Sequence, residues 1–257
     1  MCRILAVIAK KPVDIECSFF HAEKPFKSFS RSNQDGWGIG WYKDKKPKIF
    51  KEGKLKHHHF EKIKKINSKI IISHVRRATV GNKKKVNAHP FSYKNFIFAH
   101  NGEIDRKLVY HHLNKKFRSL IKGTADSELY FLLIMQFFEE TKDIILSIKK
   151  TVAIAKKSVS PSLNFLLSDG RNLFAYRYSL KDKSDFHLHY LKQKLIKHKI
   201  EYRSKKTNEK IMIKCLHKEK PVIFSSEPLI KREDWPLMKS RQLIMVSPNL
   251  EFTIRKV

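Results

Sequence analysis

Apolar segments of strand length stand at both ends of the sequence and enclose a helical middle, which limits the folds that the chain can adopt. In the first part, CRILAVIAK, KIIISHVR and NFIFAHNG predict buried strands. From residue 105 to 157 the apolar residues recur at three- and four-residue spacing, as in amphipathic helices. Strand patterns return after residue 160, and no linker or repeat divides the series. We therefore predict an α+β fold, a four-layer α/β/β/α sandwich if the two sheets face each other, in a single domain over residues 1–257.

Four segments carry more specific local predictions. GWGIGWYK and KIFKEG flank the polar DKKP and predict a hairpin. PVDIECSFF, residues 12–20, is interpreted as a short helix, and the polar residues 197–210 as a loop. GTADSE at 123–128 predicts a helix start with Thr124 or Asp126 as the N-cap.

The charge of the chain is strongly positive. It carries 55 Lys and Arg against 24 Asp and Glu, a net charge of +31. An excess of this kind attracts nucleic acids and anionic membranes. The lysines, however, are spread over nearly every polar segment, and no helix–turn–helix, zinc-finger or RNA-binding motif accompanies them. We expect loose attraction to polyanions at low salt and no specific nucleic-acid partner.

Cysteine content and hydropathy indicate the compartment. The odd set of three cysteines (Cys2, Cys17 and Cys215) argues against a disulfide framework and is typical of a reducing cytoplasm. The longest apolar run, nine residues at 130–138, is too short to span a bilayer, and the start of the chain does not resemble a signal peptide. The adjacent histidines 57–59 are interpreted as a solvated loop, because neighbours in an extended segment point in alternating directions and make a poor metal site. We expect a cytoplasmic protein without membrane contact.

Cys2 directly follows the initiator methionine, at the start of a predicted strand. It is either the ordinary first residue of a core strand or a nucleophile. Removal of Met1 would give Cys2 both a thiol and a free α-amine, and an α-amine titrates near pH 8, so it can act as a base at neutral pH. The residue alone does not decide between the two interpretations.

Three further clusters place polar residues where apolar strands begin or end. SHVRRATVG at 73–81 ends a strand in two arginines, and a buried arginine requires a carboxylate. FAHNGEI at 98–104 ends in Asn-Gly, which is either a plain turn or a pair of donors able to hold an oxyanion. QDGWGIG at 34–40 lacks the spacing of a phosphate loop, and its Gly36 and Gly38 instead indicate a close approach of another backbone.

In this order and spacing, the cluster beginning MCRILAV and the clusters DGWGIGWY, SHVRRAT, NAHPF, FAHNGEI and GTADSE closely resemble the class II glutamine amidotransferase domain, an N-terminal-nucleophile hydrolase. The later segments NFLLSDG and IFSSEPL resemble its small stand-alone subgroup, which includes bacterial amidotransferases and γ-glutamyl hydrolases. The resemblance implies an enzyme that cleaves the γ-amide of glutamine or of a γ-glutamyl compound through a glutamyl-thioester. It implies release of glutamate with ammonia or an amine, and neither metal nor organic cofactor. The alternative function is a non-catalytic, polyanion-binding protein on an amidohydrolase scaffold.

The resemblance also assigns the catalytic roles. Cys2 would be the nucleophile, with its own α-amine as the general base. The side-chain amide of Asn101 and the backbone N–H of Gly102 would form the oxyanion hole. His89 in NAHPF matches a position that is mainly architectural in this family.

Substrate binding is assigned in the same way. Arg76 would hold the α-carboxylate of the glutamyl group with Thr79 beside it, and Asp126 would hold the α-ammonium. A guanidinium suits a carboxylate because its fork of donors matches both oxygens. The expected partners are glutamine or another small γ-glutamyl molecule. Because the chain has no residues left for a synthase domain, any ammonia acceptor is expected to be a separate subunit.

Overall fold

The computed structural model describes most of the chain. The described residues are 2–15, 18–19, 22, 24–31, 34–54, 63, 65–78, 82–158, 161–180, 186–192, 198–203, 210–215, 220–230 and 233–257. Within these ranges the strands are β1 (Arg3–Asp14), β2 (Trp37–Lys43), β3 (Lys46–Glu52), β4 (Asn67–Val75), β5 (Phe91–Tyr93), β6 (Phe96–Gly102), β7 (Leu163–Ser168), β8 (Leu173–Arg177), β9 (His189–Lys192), β10 (His198–Arg203), β11 (Lys210–Cys215), β12 (Val222–Ser225), β13 (Gln242–Val246) and β14 (Phe252–Lys256). The α-helices are α1 (Arg106–His112), α2 (Lys115–Arg118), α3 (Asp126–Thr141) and α4 (Ile144–Ala155).

Twelve of these strands form two six-stranded antiparallel sheets, and β10 and β11 form a separate two-stranded sheet. The first has the order β3-β2-β4-β1-β12-β9, and the second has the order β14-β13-β8-β7-β6-β5. The predicted hairpin is β2–β3, and its two turn residues, Asp44 and Lys45, both have positive φ (52° and 60°). That is the two-residue turn whose twist matches paired strands. The hairpin prediction is therefore confirmed.

Side-chain alternation along the strands divides the apolar residues into three core layers. Ile4, Ala6 and Ile8 of β1 pack between the two sheets, against residues of the second sheet such as Ile97 and Leu166. The intervening side chains of β1 point to the opposite face, because successive residues of a strand alternate. The outer face of the second sheet is covered by α3 and α4, whose buried apolar residues pack against those of β6, β7 and β8.

The outer face of the first sheet is covered by a different kind of layer. In its described part this layer contains a 3-10 helix, Phe26–Arg31, and the segment around Trp235. The ring centroid of Phe19 lies 5.7 Å from that of Phe26 and 6.3 Å from that of Trp37. The order of layers is helices, sheet, sheet and covering segments, which is the sandwich predicted from the sequence. Among the helices of the described residues, none has both the length and the hydropathy of a membrane span.

One local prediction is wrong and another is correct only in part. In the segment 12–20, predicted as a short helix, Ser18 and Phe19 are helical but residues 12–14 are not. Residues 12–14, placed in a short helix, continue β1: Val13 pairs with Ser68 and Asp14 with Asn67, after a register shift beyond Ile8. The polar residues 197–210, interpreted as a loop, include β10, which pairs with β11 along its whole length. In both cases hydrogen bonding to a neighbouring strand satisfies the backbone whatever the polarity of the side chains.

The start of α3 differs from the predicted cap. The N-cap position is held by Ala125, which has no side-chain cap, and Asp126 is the first helical residue. The cap is supplied from elsewhere in the chain: Oδ1 of the fully buried Asn87 accepts the backbone N–H groups of Thr124 and Ala125, at 2.7 and 3.0 Å. The amide nitrogen of Asn87 donates to Oδ1 of Asn82 at 2.7 Å. One buried amide thus joins the start of α3 to the segment 82–88.

We expect Asn87→Ala to destabilise the protein more than the loss of an ordinary cap. The substitution leaves one buried and one partly buried N–H group without an acceptor, which costs about 2–4 kcal/mol in the free energy of unfolding. Asn114→Ala is the matched control, because Asn114 caps α2 at an exposed position by accepting the N–H of Phe117. Its loss should cost about 1 kcal/mol. Urea unfolding of both variants measures the difference, and equal costs would contradict the bridging role of Asn87.

Candidate active site

Cys2 directly precedes β1, at the end of the first sheet where β1 pairs with the last residues of β4. Arg3, the next residue, pairs with Val75 at the end of β4. The half-buried thiol sulfur therefore lies 3.4 Å from both the backbone nitrogen and the carbonyl oxygen of Arg77. Burial raises the pKa of the Cys2 thiol, although the N–H of Arg77, the amino-terminal charge and the Arg76 guanidinium oppose the effect. The resting group is a neutral thiol, which needs a base to become a nucleophile.

Arg76 follows β4 directly and is only 3% exposed. Its Nη1 donates to the carbonyl oxygen of Asn82 at 2.8 Å and lies 3.5 Å from that of Asp35. Burial lowers the pKa of Arg76, while the interactions with Cys2, Asp35 and Asp126 act to raise it. The guanidinium therefore sits within electrostatic reach of the thiol and of two carboxylates.

Asp35 is a residue of this site that the sequence analysis did not identify. One carboxylate oxygen accepts the N–H of Ala78 at 2.9 Å, and the other pairs with Nζ of Lys83 at 2.7 Å. Burial acts to raise the pKa of Asp35, but Lys83 and the N–H of Ala78 outweigh it, and the pKa is lowered. The signal was present: a buried arginine requires a carboxylate, and QDGWGIG supplies one. Its position beside Arg76 depends on β2 pairing with β4, which no local pattern states.

The glycine-rich cluster serves close packing, as the sequence indicated. A Cβ atom on Gly38 would lie 2.3 Å from the carbonyl oxygen of His89. No side chain fits at that distance, so β2 and the segment preceding β5 can approach each other only with glycine here.

Asn101 and Gly102 form the end of β6. Asn101 is fully buried, and its carbonyl oxygen accepts the hydroxyl of Ser162 at 2.9 Å. A Cβ on Gly102 would lie 2.0 Å from the carbonyl oxygen of Ser162 and 2.7 Å from Nε2 of His100. Only glycine can occupy this position, which keeps the backbone at the strand end free of a side chain.

Asp126 connects the start of α3 to the chain after β6. Its side chain is 5% exposed, and Oδ2 accepts the N–H of Ile104 at 2.8 Å while Oδ1 accepts that of Ser127 at 2.8 Å. Burial raises the pKa of Asp126, although these hydrogen bonds favour the ionised form. The carboxylate thus binds the backbone two residues after Gly102 in the chain. It also acts electrostatically on both Cys2 and Arg76.

Three buried histidines, His74, His89 and His100, lie close to the residues of the site. The rings of His74 and His89 stack with centroids 4.0 Å apart, and Nδ1 of His100 lies 2.9 Å from Oγ of Ser127. Burial lowers the pKa of His74 and of His100 to about 3, and that of His89 well below its ordinary value. All three are therefore neutral packing groups. In the described ranges no group of three His, Cys, Asp or Glu side chains is arranged to hold a metal ion.

The structure brings Cys2, Arg76 and Asp126 within electrostatic reach of one another. It places Asn101 and Gly102 at the end of β6, just before the Ile104 N–H that donates to Asp126. Thr79, the remaining residue of the predicted set, lies outside the described residues, as do Cys17 and the histidines 57–59. A thiol beside a guanidinium and a carboxylate can hold a zwitterion and attack a group attached to it. This is the arrangement expected for acyl transfer from an α-amino acid.

We expect the reactivity of the Cys2 thiol to show its raised pKa. Because burial disfavours the thiolate, alkylation of Cys2 by iodoacetamide should rise with pH through a midpoint above the usual thiol value of about 8.5. Peptide mass mapping over a pH series measures the profile for Cys2 separately from Cys17 and Cys215. A midpoint at or below about 8 would show that the neighbouring cations outweigh burial.

Comparisons with known proteins show which sequences and structures the chain is similar to. An uncharacterized protein of Methanocaldococcus jannaschii is 32% identical over 214 residues, which cover 76% of this chain and 55% of that protein. The chain therefore spans about half the length of this relative.

Solved structures share the fold at low sequence identity. A glutamine aminotransferase class-II domain protein of Silicibacter pomeroyi aligns over 99% of this chain and 98% of its own, with a TM-score of 0.66 and 19% identity. The glutamine phosphoribosylpyrophosphate amidotransferase of B. subtilis aligns over 99% of this chain and 49% of its own, with a TM-score of 0.65 and 14% identity. The predicted sandwich of N-terminal-nucleophile hydrolase type is confirmed. Because residues 1–251 match the model of the class-II glutamine amidotransferases, the chain belongs to that family.

Proposed function

We propose that this chain, as a single domain, hydrolyses the γ-amide of glutamine or of a γ-glutamyl compound. The observation that supports the proposal most directly is the position of Cys2 within electrostatic reach of both Arg76 and Asp126. A γ-glutamyl group carries one carboxylate and one ammonium, so a site that binds it needs one cation and one anion near the nucleophile. Family membership supports the same class of reaction.

Cys2 is the proposed nucleophile, and its own α-amine is the proposed base after Met1 has been removed. The buried thiol holds its proton at rest, so attack requires a base close to the sulfur. The amine takes that proton as the sulfur adds to the γ-carbonyl carbon. The resulting ammonium then gives the proton to the leaving nitrogen as the C–N bond breaks. Water hydrolyses the glutamyl-thioester and restores the thiol.

The end of β6 is the proposed oxyanion hole. The side-chain amide of Asn101 and the backbone N–H of Gly102 would donate to the oxygen of the tetrahedral intermediate. Gly102 carries no side chain because the Ser162 carbonyl occupies the space where its Cβ would lie. Preorganised donors of this kind act mainly in the transition state, since the charge on the oxygen develops there.

Arg76 is the proposed partner of the substrate α-carboxylate, with Thr79 beside it, and Asp126 is the proposed partner of the α-ammonium. Both side chains are already held by protein groups, Arg76 by the Asn82 carbonyl and Asp126 by two N–H groups. These bonds fix the orientation of the charges before the substrate arrives, which reduces the entropy cost of binding.

The leaving group is either ammonia or a larger amine, and a separate ammonia-accepting subunit is the proposed partner in the first case. We also propose a cytoplasmic location, a reaction without metal or organic cofactor, and no specific nucleic-acid partner. A panel of glutamine, glutathione and other γ-glutamyl amides, scored by glutamate release, identifies the leaving group.

We expect Cys2→Ala to abolish glutamate release from glutamine. Intact mass should show that the mature protein lacks Met1, and the glutamine analogue diazo-oxonorleucine should label Cys2 alone. Cys215→Ala is the control, because Cys215 belongs to the separate β10–β11 hairpin, and it should retain wild-type turnover. Glutamate release at the wild-type rate by Cys2→Ala would refute the proposed function.

We expect Asp126→Asn to remove the preference for a free α-ammonium. The discriminating measurement is the ratio of kcat/KM for glutamine to that for glutaramate, the same amide without the α-amine. Loss of the carboxylate should lower this ratio by about a hundredfold, because an amide does not offset an ammonium. A purely structural role would lower both values equally and leave the ratio unchanged.

Asp105→Asn is the matched control for Asp126→Asn. The Asp105 carboxylate also accepts two backbone N–H groups at a helix start, those of Lys107 and Leu108 in α1, but at an exposed position. Asn is as good a cap as Asp. The control should therefore keep both the stability and the substrate ratio of the wild type.

A further inference from the structure

A second cavity lies apart from the proposed active site, against the opposite side of the segment 82–88. Its volume is about 620 Å³, within the range of small-molecule sites. Its lining combines two kinds of side chain: the lysines Lys51, Lys85 and Lys122, and an apolar wall that includes Pro90, Phe91 and Leu132.

The segment 82–88 separates the two sites. On one side, Arg76 donates to the carbonyl oxygen of Asn82 at 2.8 Å. On the other side, Nζ of Lys51 donates to the carbonyl oxygens of Ala88 at 2.8 Å and Val86 at 3.3 Å. The two carboxylates at the start of α3 divide in the same way. Asp126 belongs to the proposed active site and Glu128 lines the cavity, since residues two apart in a helix point about 200° apart.

Lys51 is the central charge of the cavity. Its half-buried ammonium lies 4.7 Å from the centroid of the Phe91 ring. An ammonium has three donors, and the carbonyls of Val86 and Ala88 use two of them, which leaves one for a ligand. The Phe91 ring and the two carbonyl oxygens thus fix the position of the Lys51 ammonium.

The cavity holds more positive than negative charge. Among the described residues that line the cavity, Glu128 is the one carboxylate, and both of its oxygens accept backbone N–H groups, those of Lys122 at 3.0 Å and Gly123 at 2.8 Å. Tyr93 also lines the cavity, but its hydroxyl donates to Glu139 at 2.7 Å. Burial lowers the pKa of Lys51 to about 8, with Lys122 and Lys85 acting in the same direction and Glu128 opposing them. An anion in the cavity would offset this repulsion.

We propose that this cavity binds a small organic anion, with its carboxylate or phosphate group at the lysines and an aromatic or branched aliphatic body against the apolar wall. The charge excess accounts for the anionic group, because three lysines face one carboxylate that is already hydrogen-bonded. The wall accounts for the body, because burying apolar surface contributes about 25 cal/mol per Å². A free inorganic ion uses only half of this site.

Titration calorimetry with phenyl phosphate, at physiological salt, tests the proposal. We expect a Kd on the order of 100 µM, a value usual for a ligand of this size. Inorganic phosphate and phenol, the two halves of the probe, should each bind at least tenfold more weakly. Benzoate in a parallel titration decides whether the site prefers a carboxylate or a phosphate. Binding of inorganic phosphate as tight as that of phenyl phosphate, or no binding of either organic anion, would overturn the proposal.

Variants locate the binding. Lys51→Met should weaken phenyl phosphate binding at least tenfold, and the surface variant Lys85→Gln/Lys122→Gln, which leaves the buried bonds of Lys51 intact, should weaken it severalfold. Lys192→Met is the control, because Lys192 also lies over a phenylalanine ring, that of Phe252 at 5.3 Å, on a distant strand. Unchanged affinity in both cavity variants would place the ligand elsewhere and refute the site.

Two further measurements separate this site from the proposed active site. Protein whose thiol has been blocked by diazo-oxonorleucine should bind phenyl phosphate as the unlabelled protein does. The affinity should fall as pH rises from 7 to 9.5, because Lys51 loses its charge as pH rises through its pKa of about 8. The phosphate stays doubly charged over this range. Affinity that does not change over this range, or that is lost on blocking the thiol, would contradict binding at Lys51.

Discussion

The buried guanidinium of Arg76 is the constraint on which the arrangement of the site depends. A cation taken out of water costs several kcal/mol unless nearby groups compensate it. Here the compensation comes from three separate parts of the chain: the Asp35 loop before β2, the Asn82 carbonyl, and the carboxylate of Asp126 at the start of α3. Each of these parts is therefore brought to the end of β4, next to Cys2. The charge that the proposed substrate needs is also the charge that organises its surroundings.

The start of α3 is a second point of convergence. Asn87 and Glu128 accept the N–H groups of residues 122–125, just before the helix, while the N–H of Ile104 after β6 donates to Asp126. Asp126 and Glu128 belong to α3 and Asn87 belongs to the segment 82–88, so these bonds join the helix start both to that segment and to the chain after β6. The same helix start separates the proposed active site from the lysine-lined cavity. The segment 82–88 accepts hydrogen bonds from Arg76 on one side and from Lys51 on the other, so a displacement of this segment would alter both sites.

Much of the architecture and of the site could be predicted from the sequence. The strands of both sheets show their apolar pattern, and the residues at their ends, Cys2, Arg76, Asn101 and Gly102, stand in an order that resembles one family. Other features could not be predicted. Residues 12–14 and 198–203 were assigned wrongly because backbone pairing with another strand outweighs local propensity. Asp35 and Asn87 were missed because an Asp beside glycines or an Asn in a polar loop looks the same whether it faces water or a buried partner.

The sequence by itself determined the sandwich and the types of chemical group at its strand ends, because side-chain alternation and apolar spacing are local properties that a chain carries in its order of residues. Only the tertiary structure decided which carboxylate compensates Arg76, which amide caps α3, and that burial holds the Cys2 thiol neutral. These outcomes depend on distances between residues far apart in the chain and on the exclusion of water around them. Electrostatic and hydrogen-bond energies vary with both, so they are settled only when the two sheets and the helix close on one another.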